Sequence, residues 1–185
     1  IDLNNQSLLI SFVGLNEFVK AHMGYELHES WDAHNFGMKI VLHMLDYCKK
    51  MSEETGLTFS VWRQPAESTA GKFAQDDYKK FKDKAIIQGN PELNAGYYSN
   101  FTHLNVNAPV SLAEKIRHES PFHGLSPSNL LHIWMGEDQP DTGSLWSLTK
   151  KIITNSLTTY FAFTREISVC NVCNTTQSGV VEKCK

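Results

Sequence analysis

The residues with the most specific spacing lie at the end of the sequence, which reads Cys170-Asn-Val-Cys173 and, further on, Val-Glu-Lys-Cys184. Two thiolates separated by two residues on a tight turn can bind one tetrahedral Zn²⁺, and a closed structural site takes four such ligands. We therefore predict that Cys170, Cys173 and Cys184 are three ligands of a structural zinc site. The fourth ligand is expected at position 187, so the chain is expected to be cut from a longer protein.

The same cysteine pair could instead be a redox pair or disulfide, or simply two buried thiols. A thioredoxin-like pair stands at the start of a helix, whereas residues 174–179 are polar, end in glycine and form a poor helix. Four cysteines with one Cys-x-x-Cys spacing also fit a reducing compartment with a metal better than a secreted disulfide framework. Zinc is favoured on these grounds, and the other interpretations stay open.

A second candidate site is the segment Pro65-Ala-Glu-Ser-Thr-Ala-Gly71. Ser68 and Thr69 carry hydroxyl groups, and the small residues Ala70 and Gly71 leave backbone N–H groups approachable. If a helix begins here, its N-terminus favours an anion such as phosphate. The simpler alternative is an ordinary N-cap by Ser68 or Thr69. The segment lacks the Gly-Lys-Ser/Thr ending of a P-loop.

The remaining reactive side chains give no catalytic assignment. Eight histidines are scattered along the chain without a His-Glu-x-x-His pattern. His103 stands in a polar stretch that could line a cleft, but we interpret it, like His123, as a structural or surface histidine. Cys48 falls on the apolar face of a helix and is expected in the core.

Composition excludes several classes of protein. With 41% apolar and 20% charged residues, the 185-residue chain has the composition of a soluble globular protein. A net charge of −3 without a basic run gives no reason to expect nucleic-acid binding. No apolar stretch approaches the roughly 20 residues that span a bilayer, so no membrane partner is expected. The chain starts at Ile1 without a signal sequence, and we expect a cytoplasmic protein.

Hydrophobic periodicity predicts strands and helices that alternate along the chain, the pattern of an α/β fold with crossover units. The predicted strands cover residues 8–13, 57–62, 97–106, 130–135 and 160–169. The predicted helices cover residues 16–23, 31–54, a segment after the 65–73 loop, 111 to about 120, and a segment that begins at 141–142.

Five segments in one order carry a resemblance to a known family. They are Gly14-Leu-Asn-Glu17, the 65–73 segment, Tyr97-Tyr-Ser-Asn-Phe-Thr-His-Leu104, Pro121-Phe-His123 and the closing cysteine pair. Together they resemble the C-terminal part of the anaerobic (class III) ribonucleoside-triphosphate reductases, which are glycyl radical enzymes. The resemblance covers nearly the whole chain.

The resemblance implies the second half of a ten-stranded α/β barrel, residues 1–169, and the start of a C-terminal zinc ribbon, residues 170–185. In such enzymes an S-adenosylmethionine-dependent iron–sulfur activase makes the glycyl radical, which oxidises a cysteine to a thiyl radical. The thiyl takes the 3′ hydrogen of a ribonucleoside triphosphate, and formate is the usual reductant. Nucleotide effectors, ATP among them, act on an N-terminal part. A homodimer in the cytoplasm, or in a host cytoplasm for a phage enzyme, is implied.

For single residues, the resemblance implies that Ser68, Thr69, Ala70 and Gly71 cradle substrate phosphates, while Glu67 points away from them. The three cysteines would be ligands of the zinc site that precedes the radical glycine. The chain departs from the family pattern at Leu130-Leu131, where a Gly-Gly pair is common. The radical loop and thiyl cysteine are expected outside the chain, which should be inactive alone. A glycyl radical enzyme with a non-nucleotide substrate and a non-enzymatic zinc-ribbon interaction protein are the alternatives.

Overall fold

Helices and strands alternate along most of the chain, as the periodicity predicts. The structure, a computed structural model, describes residues 6–126, 128–136, 140–179, 181 and 183–184. The helices are α1 (Leu15–Met23), α2 (Trp31–Thr55), α3 (Glu67–Phe81), α4 (Leu112–Leu125) and α5 (Thr142–Asn155), with short 3₁₀ turns at Lys82–Lys84 and Pro91–Leu93. The strands are β1 (Ser7–Ile10), β2 (Thr58–Val61), β3 (Gln88–Asn90), β4 (Ala95–Tyr97), β5 (Leu131–Trp134), β6 (Phe161–Thr164), β7 (Ile167–Val169) and β8 (Thr176–Ser178). No helix in these described ranges is both long and apolar enough to cross a membrane.

The described strands form four separate pairs. Strands β1 and β2 are parallel, with Ser7 opposite Thr58, and β5 and β6 are parallel, with Leu131 opposite Phe161. Helices α1 and α2 connect the first parallel pair and α5 the second, because parallel neighbours need a crossover connection. The β3–β4 and β7–β8 pairs are antiparallel hairpins. The predicted α/β class is therefore confirmed as a mixed α/β fold.

Capping residues determine where α1 ends and where α2 begins and ends. Gly24 and Gly56 adopt left-handed backbone conformations, φ 78° and 72°, and end the two helices as C-caps. The Ser30 side chain accepts a hydrogen bond from the Asp32 N–H and begins α2. The main core lies between α1, α2 and α4 and includes Leu15, Val19, Leu27, Ala33, Val41, Leu104 and Phe122. Cys48 is buried beside Val61 and Phe101, as predicted.

The prediction that the fourth helix ends near Ser120-Pro121 is wrong. A capping box between Ser111 and Glu114 begins α4 as predicted, but the helix continues through Pro121 to Leu125. Proline removes one N–H and crowds the preceding turn, a cost that packing can offset. Here the next residue, Phe122, is fully buried in the core, and its carbonyl accepts from Asn129 Nδ2 at 2.9 Å.

Two predicted strands also differ. Residues 97–106 are extended only at the start: β4 ends at Tyr97, and Phe101 turns the chain with φ 53°. The predicted strand 160–169 divides into β6 and β7 at Arg165-Glu166, because β6 pairs with β5 whereas β7 pairs with β8. The irregular 97–106 segment is the part of the fold that brings polar side chains together.

Candidate functional site

Helix α3 begins directly at the predicted phosphate segment. Its N-cap is Ala66, which has no side-chain hydrogen bond to offer, so neither Ser68 nor Thr69 is the N-cap considered from the sequence. The Ala70 N–H donates to the Ala66 carbonyl at 2.7 Å, so it is already paired. The N–H groups of Ser68 and Thr69 belong to the first turn, where a helix has no internal partner for its donors.

The side chains of this turn face two different surfaces. Ser68 and Gly71 line a polar depression on α3 that also includes Lys72 and Lys79. Ala70 lines a separate cavity of about 300 Å³. Glu67, expected to point away from bound phosphate, also lines this cavity, and its Oε1 accepts from Asn100 Nδ2 at 3.3 Å.

Side chains from several parts of the chain enclose the cavity beside Ala70. Arg63 follows β2, His132 and Trp134 come from β5, Lys115 comes from α4, and His103 comes from the irregular segment after β4. The aromatic rings of His132 and Trp134 are stacked, with centroids 5.5 Å apart. Convergent polar groups in a concave site are typical of ligand-binding pockets.

Behind the cavity wall, charged groups form a continuous chain. Arg63 Nε donates to His103 Nε2 at 3.2 Å, and His103 Nδ1 lies 3.5 Å from Glu119 Oε2. Glu119 Oε1 lies 2.6 Å from Lys115 Nζ and accepts from the Leu104 N–H at 3.1 Å. Since Nε2 accepts, these contacts assign the Nδ1–H tautomer to His103.

The charges in this chain are set by burial and by their partners. Burial alone would raise the pKa of Glu119, but its contact with His103 and the charge of Lys115 hold that pKa at about 2. Burial lowers the pKa of His132, and the nearby charges of Arg63 and Lys115 lower it further. Glu119 is therefore an anion and His132 neutral near pH 7.

The sequence indicates that His103 could line a cleft, but it does not indicate a role for the other charged or polar residues of this site, Arg63, Lys115, Glu119 and His132. The four-residue spacing of Lys115 and Glu119 on α4 is a recognisable ion-pair pattern and was the available signal. Nothing in the local sequence indicates that Arg63 reaches His103, because the fold alone brings these distant segments together.

A buried carboxylate shapes the far wall of the cavity. Glu17 on α1 accepts from the Ser99 N–H at 3.0 Å and from the Ser99 hydroxyl at 2.8 Å. Asn16 and Gln88 also donate to its other oxygen. These bonds hold the start of the irregular segment against α1 and so fix the wall that Tyr97 to Asn100 form.

The predicted zinc ligands come together at the β7–β8 hairpin. Cys170 follows β7, its N–H donates to the Thr175 carbonyl at 3.0 Å, and Asn174 turns the chain with φ 57°. The sulfur atoms of Cys170, Cys173 and Cys184 all lie within 4.8 Å of one another, and those of Cys173 and Cys184 are 3.4 Å apart. Residues after Cys170 form a turn and then β8, so the pair does not begin a helix as a thioredoxin-like redox pair does.

The environment of these thiols suits a metal. Hydrogen bonds from Thr175 lower the pKa of Cys173 to about 6, with further contributions from Cys184 and Cys170. Backbone N–H groups of Cys173 and Val172 lower the pKa of Cys170. Hydrogen bonding to the other two thiols raises the pKa of Cys184. Thiolates are the form that binds zinc, so this donor set fits Zn²⁺.

Comparison with known proteins gives one family. The family model described as anaerobic ribonucleoside-triphosphate reductase matches residues 2–185. Curated relatives of that name are 28% identical over 127 residues in Haemophilus influenzae (68% of this chain, 17% of the relative) and 28% identical over 121 residues in Escherichia coli (65% and 16%). In Enterobacteria phage T4 the identity is 29% over 89 residues (48% and 14%). The chain spans about a sixth of the length of these relatives.

Solved structures give the same likeness. An anaerobic ribonucleotide reductase superimposes with a TM-score of 0.76 and 25% identity, over 96% of this chain and 27% of that chain. The enzyme from Thermotoga maritima with dATP bound in the specificity site gives a TM-score of 0.71 and 24% identity, over 96% and 28%. At 24% identity, the similarity to the Thermotoga maritima enzyme is evidence for a shared fold alone.

Proposed function

The chain belongs to the family of anaerobic ribonucleoside-triphosphate reductases, and we propose that it is part of an oxidoreductase that converts ribonucleoside triphosphates to deoxyribonucleotides. The match of the family model across residues 2–185 carries this proposal. In the complete enzyme a glycyl radical supplies the oxidising power, an S-adenosylmethionine-dependent iron–sulfur activase generates it, and formate supplies electrons. The comparisons name this enzyme throughout, which disfavours a non-nucleotide glycyl radical enzyme and a stand-alone zinc-ribbon protein.

Substrate phosphates bind, in this proposal, at the start of α3. The N–H and hydroxyl groups of Ser68 and Thr69 donate to phosphate oxygens, and the positive end of the helix dipole adds to the attraction. Ala70 and Gly71 contribute small size, which lets a bulky phosphate chain approach the backbone. A Thermotoga maritima relative has been solved in complex with dATP and CTP, which supports nucleotide binding by this fold.

A structural zinc ion held by Cys170, Cys173 and Cys184 with one further ligand completes the proposal. Their sulfur atoms lie close enough together to share one ion, and hydrogen bonds favour the thiolate form of Cys170 and Cys173. Bound there, zinc would tie Cys184 to the β7–β8 hairpin without taking part in the reaction.

The wider architecture follows from the same family. Residues 1–169 form part of a ten-stranded α/β barrel, which the two parallel strand pairs with helical crossovers support, and residues 170–185 form part of a zinc ribbon. The complete enzyme works as a homodimer in the cytoplasm and binds ATP and other nucleotide effectors at an allosteric site elsewhere in its sequence.

The test is nucleotide reduction by the complete reading frame that contains this chain. The enzyme is activated without oxygen by its activase, and deoxyribonucleotide formation from CTP with formate is measured. A Ser68→Ala/Thr69→Ala variant should raise the KM for nucleotide by roughly 100-fold or more, since it loses two hydroxyl donors to a charged group. A Thr142→Ala/Ser144→Ala variant, altered likewise in the first turn of α5, should keep the wild-type KM.

The outcomes separate the two parts of the proposal. A fully activated enzyme that forms no deoxyribonucleotide from any of the four triphosphates contradicts the reductase assignment. An active enzyme whose KM is unchanged in the Ser68/Thr69 variant leaves the reductase assignment intact but removes phosphate binding from α3.

A further inference from the structure

The Arg63 side chain is largely buried, and part of the hydrogen-bonding capacity of its guanidinium is unused. The residue is only 8% exposed, and its backbone N–H is fixed by a 2.6 Å hydrogen bond to Ser128 Oγ. Nε donates to His103, but neither terminal Nη group has a hydrogen-bond partner within the described part of the chain. Burial lowers the pKa of Arg63, the expected effect on a cation that is removed from water without a contacting counter-ion.

His103 determines where these free groups can point. Its Nε2 holds the Arg63 Nε edge, and its Nδ1 is directed to the buried Glu119. Because one edge of the planar guanidinium is held from behind, the two terminal nitrogens form the remaining fork. Arg63 is also a lining residue of the 300 Å³ cavity, so space for a ligand adjoins it.

The other charges around the cavity do not neutralise Arg63 by contact. Lys115 is committed to Glu119 at 2.6 Å. Glu67 is the carboxylate among the lining residues, and although its charge favours the protonated form of Arg63, Asn100 holds one of its oxygens. Leu104, Val106 and Trp134 contribute apolar and aromatic side chains to the remaining wall.

We propose that this cavity is an oxyanion-binding site in which the two Nη groups of Arg63 bind a carboxylate or a phosphoryl group. The guanidinium fork matches the paired oxygens of both groups, and such charge-assisted bonds strengthen away from water. His103 is a positioning residue that orients the fork. The inference goes beyond the reductase assignment and does not rest on it, because binding of a simple oxyanion can be measured without turnover.

The experiment is an NMR titration of the ¹⁵N-labelled full chain, in separate arms with sodium formate and with inorganic phosphate at constant ionic strength. We expect saturable shifts of the Arg63 Nε–H signal and of the Trp134 indole in at least one arm. Arg63→Gln should weaken that binding roughly tenfold or more, as for the loss of a charged hydrogen-bond donor. Arg117→Gln, on the same helix as Lys115 but outside the cavity, is the matched control and should bind as the wild type.

Two further variants keep the test decisive if Arg63→Gln does not fold. Arg63→Lys keeps the charge but lacks the fork, and His103→Phe keeps a ring but lacks the acceptor; each should weaken binding while the thermal unfolding transition persists. The proposal is overturned if neither ion binds, if Arg63→Lys binds as tightly as the wild type, or if Arg117→Gln weakens binding equally. It is also overturned if Ser68→Ala/Thr69→Ala abolishes binding while Arg63→Lys does not, because the ion then sits on α3.

Discussion

Lys115 Nζ lies 2.6 Å from Glu119 Oε1, one helical turn away on α4, and the Glu119 side chain is only 2% exposed. A pattern usually found on solvent-facing helix surfaces is therefore part of the interior. The carboxylate is also bound by the Leu104 N–H and lies beside His103, so it joins α4 to the irregular segment that lines the cavity. Buried ion pairs of this kind are costly to break from one side because the remaining charge is left without its partner.

Glu119→Gln should destabilise the protein by about 3 kcal/mol or more, since Lys115, whose side chain is only 16% exposed, loses its counter-ion. The free energy of unfolding, measured by urea denaturation near pH 7, checks this. Arg117→Gln, an exposed change on the same helix, should cost less than about 1 kcal/mol. Equal effects of the two substitutions would show that the buried pair adds nothing to stability.

The same carboxylate should make stability depend on pH. The pKa of Glu119 is held at about 2 in the folded state, against an ordinary value of 4.5. Its contribution is therefore complete above pH 4.5 and is lost as the pH falls towards 2, up to about 3 kcal/mol in all. Glu119→Gln should flatten this part of the stability–pH curve, measured by urea denaturation from pH 6 to the lowest pH at which the chain stays folded.

His123 should act in a different pH range. Burial lowers its pKa from 6.5 to about 4, so between these values the unfolded chain binds more protons than the folded protein. Stability should be complete above pH 6.5 and should fall by up to about 3 kcal/mol as the pH drops towards 4. His123→Gln should reduce this slope, whereas the exposed His43→Gln should leave it unchanged. A slope that is the same in both variants assigns the effect to other groups.

The helices that local residues begin and end were predictable from the sequence. Ser30, Gly24, Gly56 and the capping box at Ser111 act within a few residues of their own position, and α1, α2 and the start of α4 lie close to their predicted positions. The end of α4 was not predictable in this way. Pro121 favours the end of a helix, but the packing of Phe122 in the core stabilises α4 beyond it.

The candidate site likewise has one part that local sequence predicts and one part that depends on tertiary contacts. The spacing of the cysteines predicts their meeting, because a two-residue separation and a short hairpin need no long-range contact. The chain from Arg63 through His103 to Glu119 depends on the packing of β2, α4 and the irregular segment against one another. Each residue alone looks like an ordinary surface side chain in the sequence, and only tertiary contact gives them a common role.

Two glycines in helices should respond oppositely to alanine. At Gly37 in α2 an added Cβ would lie 2.6 Å from the fully buried Leu27, so Gly37→Ala should destabilise by about 1–3 kcal/mol despite the better helix propensity of alanine. At Gly71 in α3 the nearest atom would be 3.9 Å away, so Gly71→Ala should stabilise by about 0.5–1 kcal/mol. Thermal and urea unfolding measure both, and destabilisation by Gly71→Ala would contradict the open space seen beside α3.

Metal binding should depend on each cysteine of the hairpin site and not on Cys48. The complete protein that contains this chain and the fourth ligand, purified without oxygen under reducing conditions, should contain one zinc per polypeptide by elemental analysis, and Cys170→Ser, Cys173→Ser or Cys184→Ser should each lower that content. Cys48→Ala is the matched control, because Cys48 lies in the core at 3% exposure, away from the other thiols, and burial raises its pKa. Removal of zinc by a chelator should lower the melting temperature of the wild type and the Cys48 variant alike, since zinc stabilises only the folded hairpin. Zinc content that is unchanged in all three serine variants would assign the metal elsewhere and leave the three thiols as a cluster without a metal role.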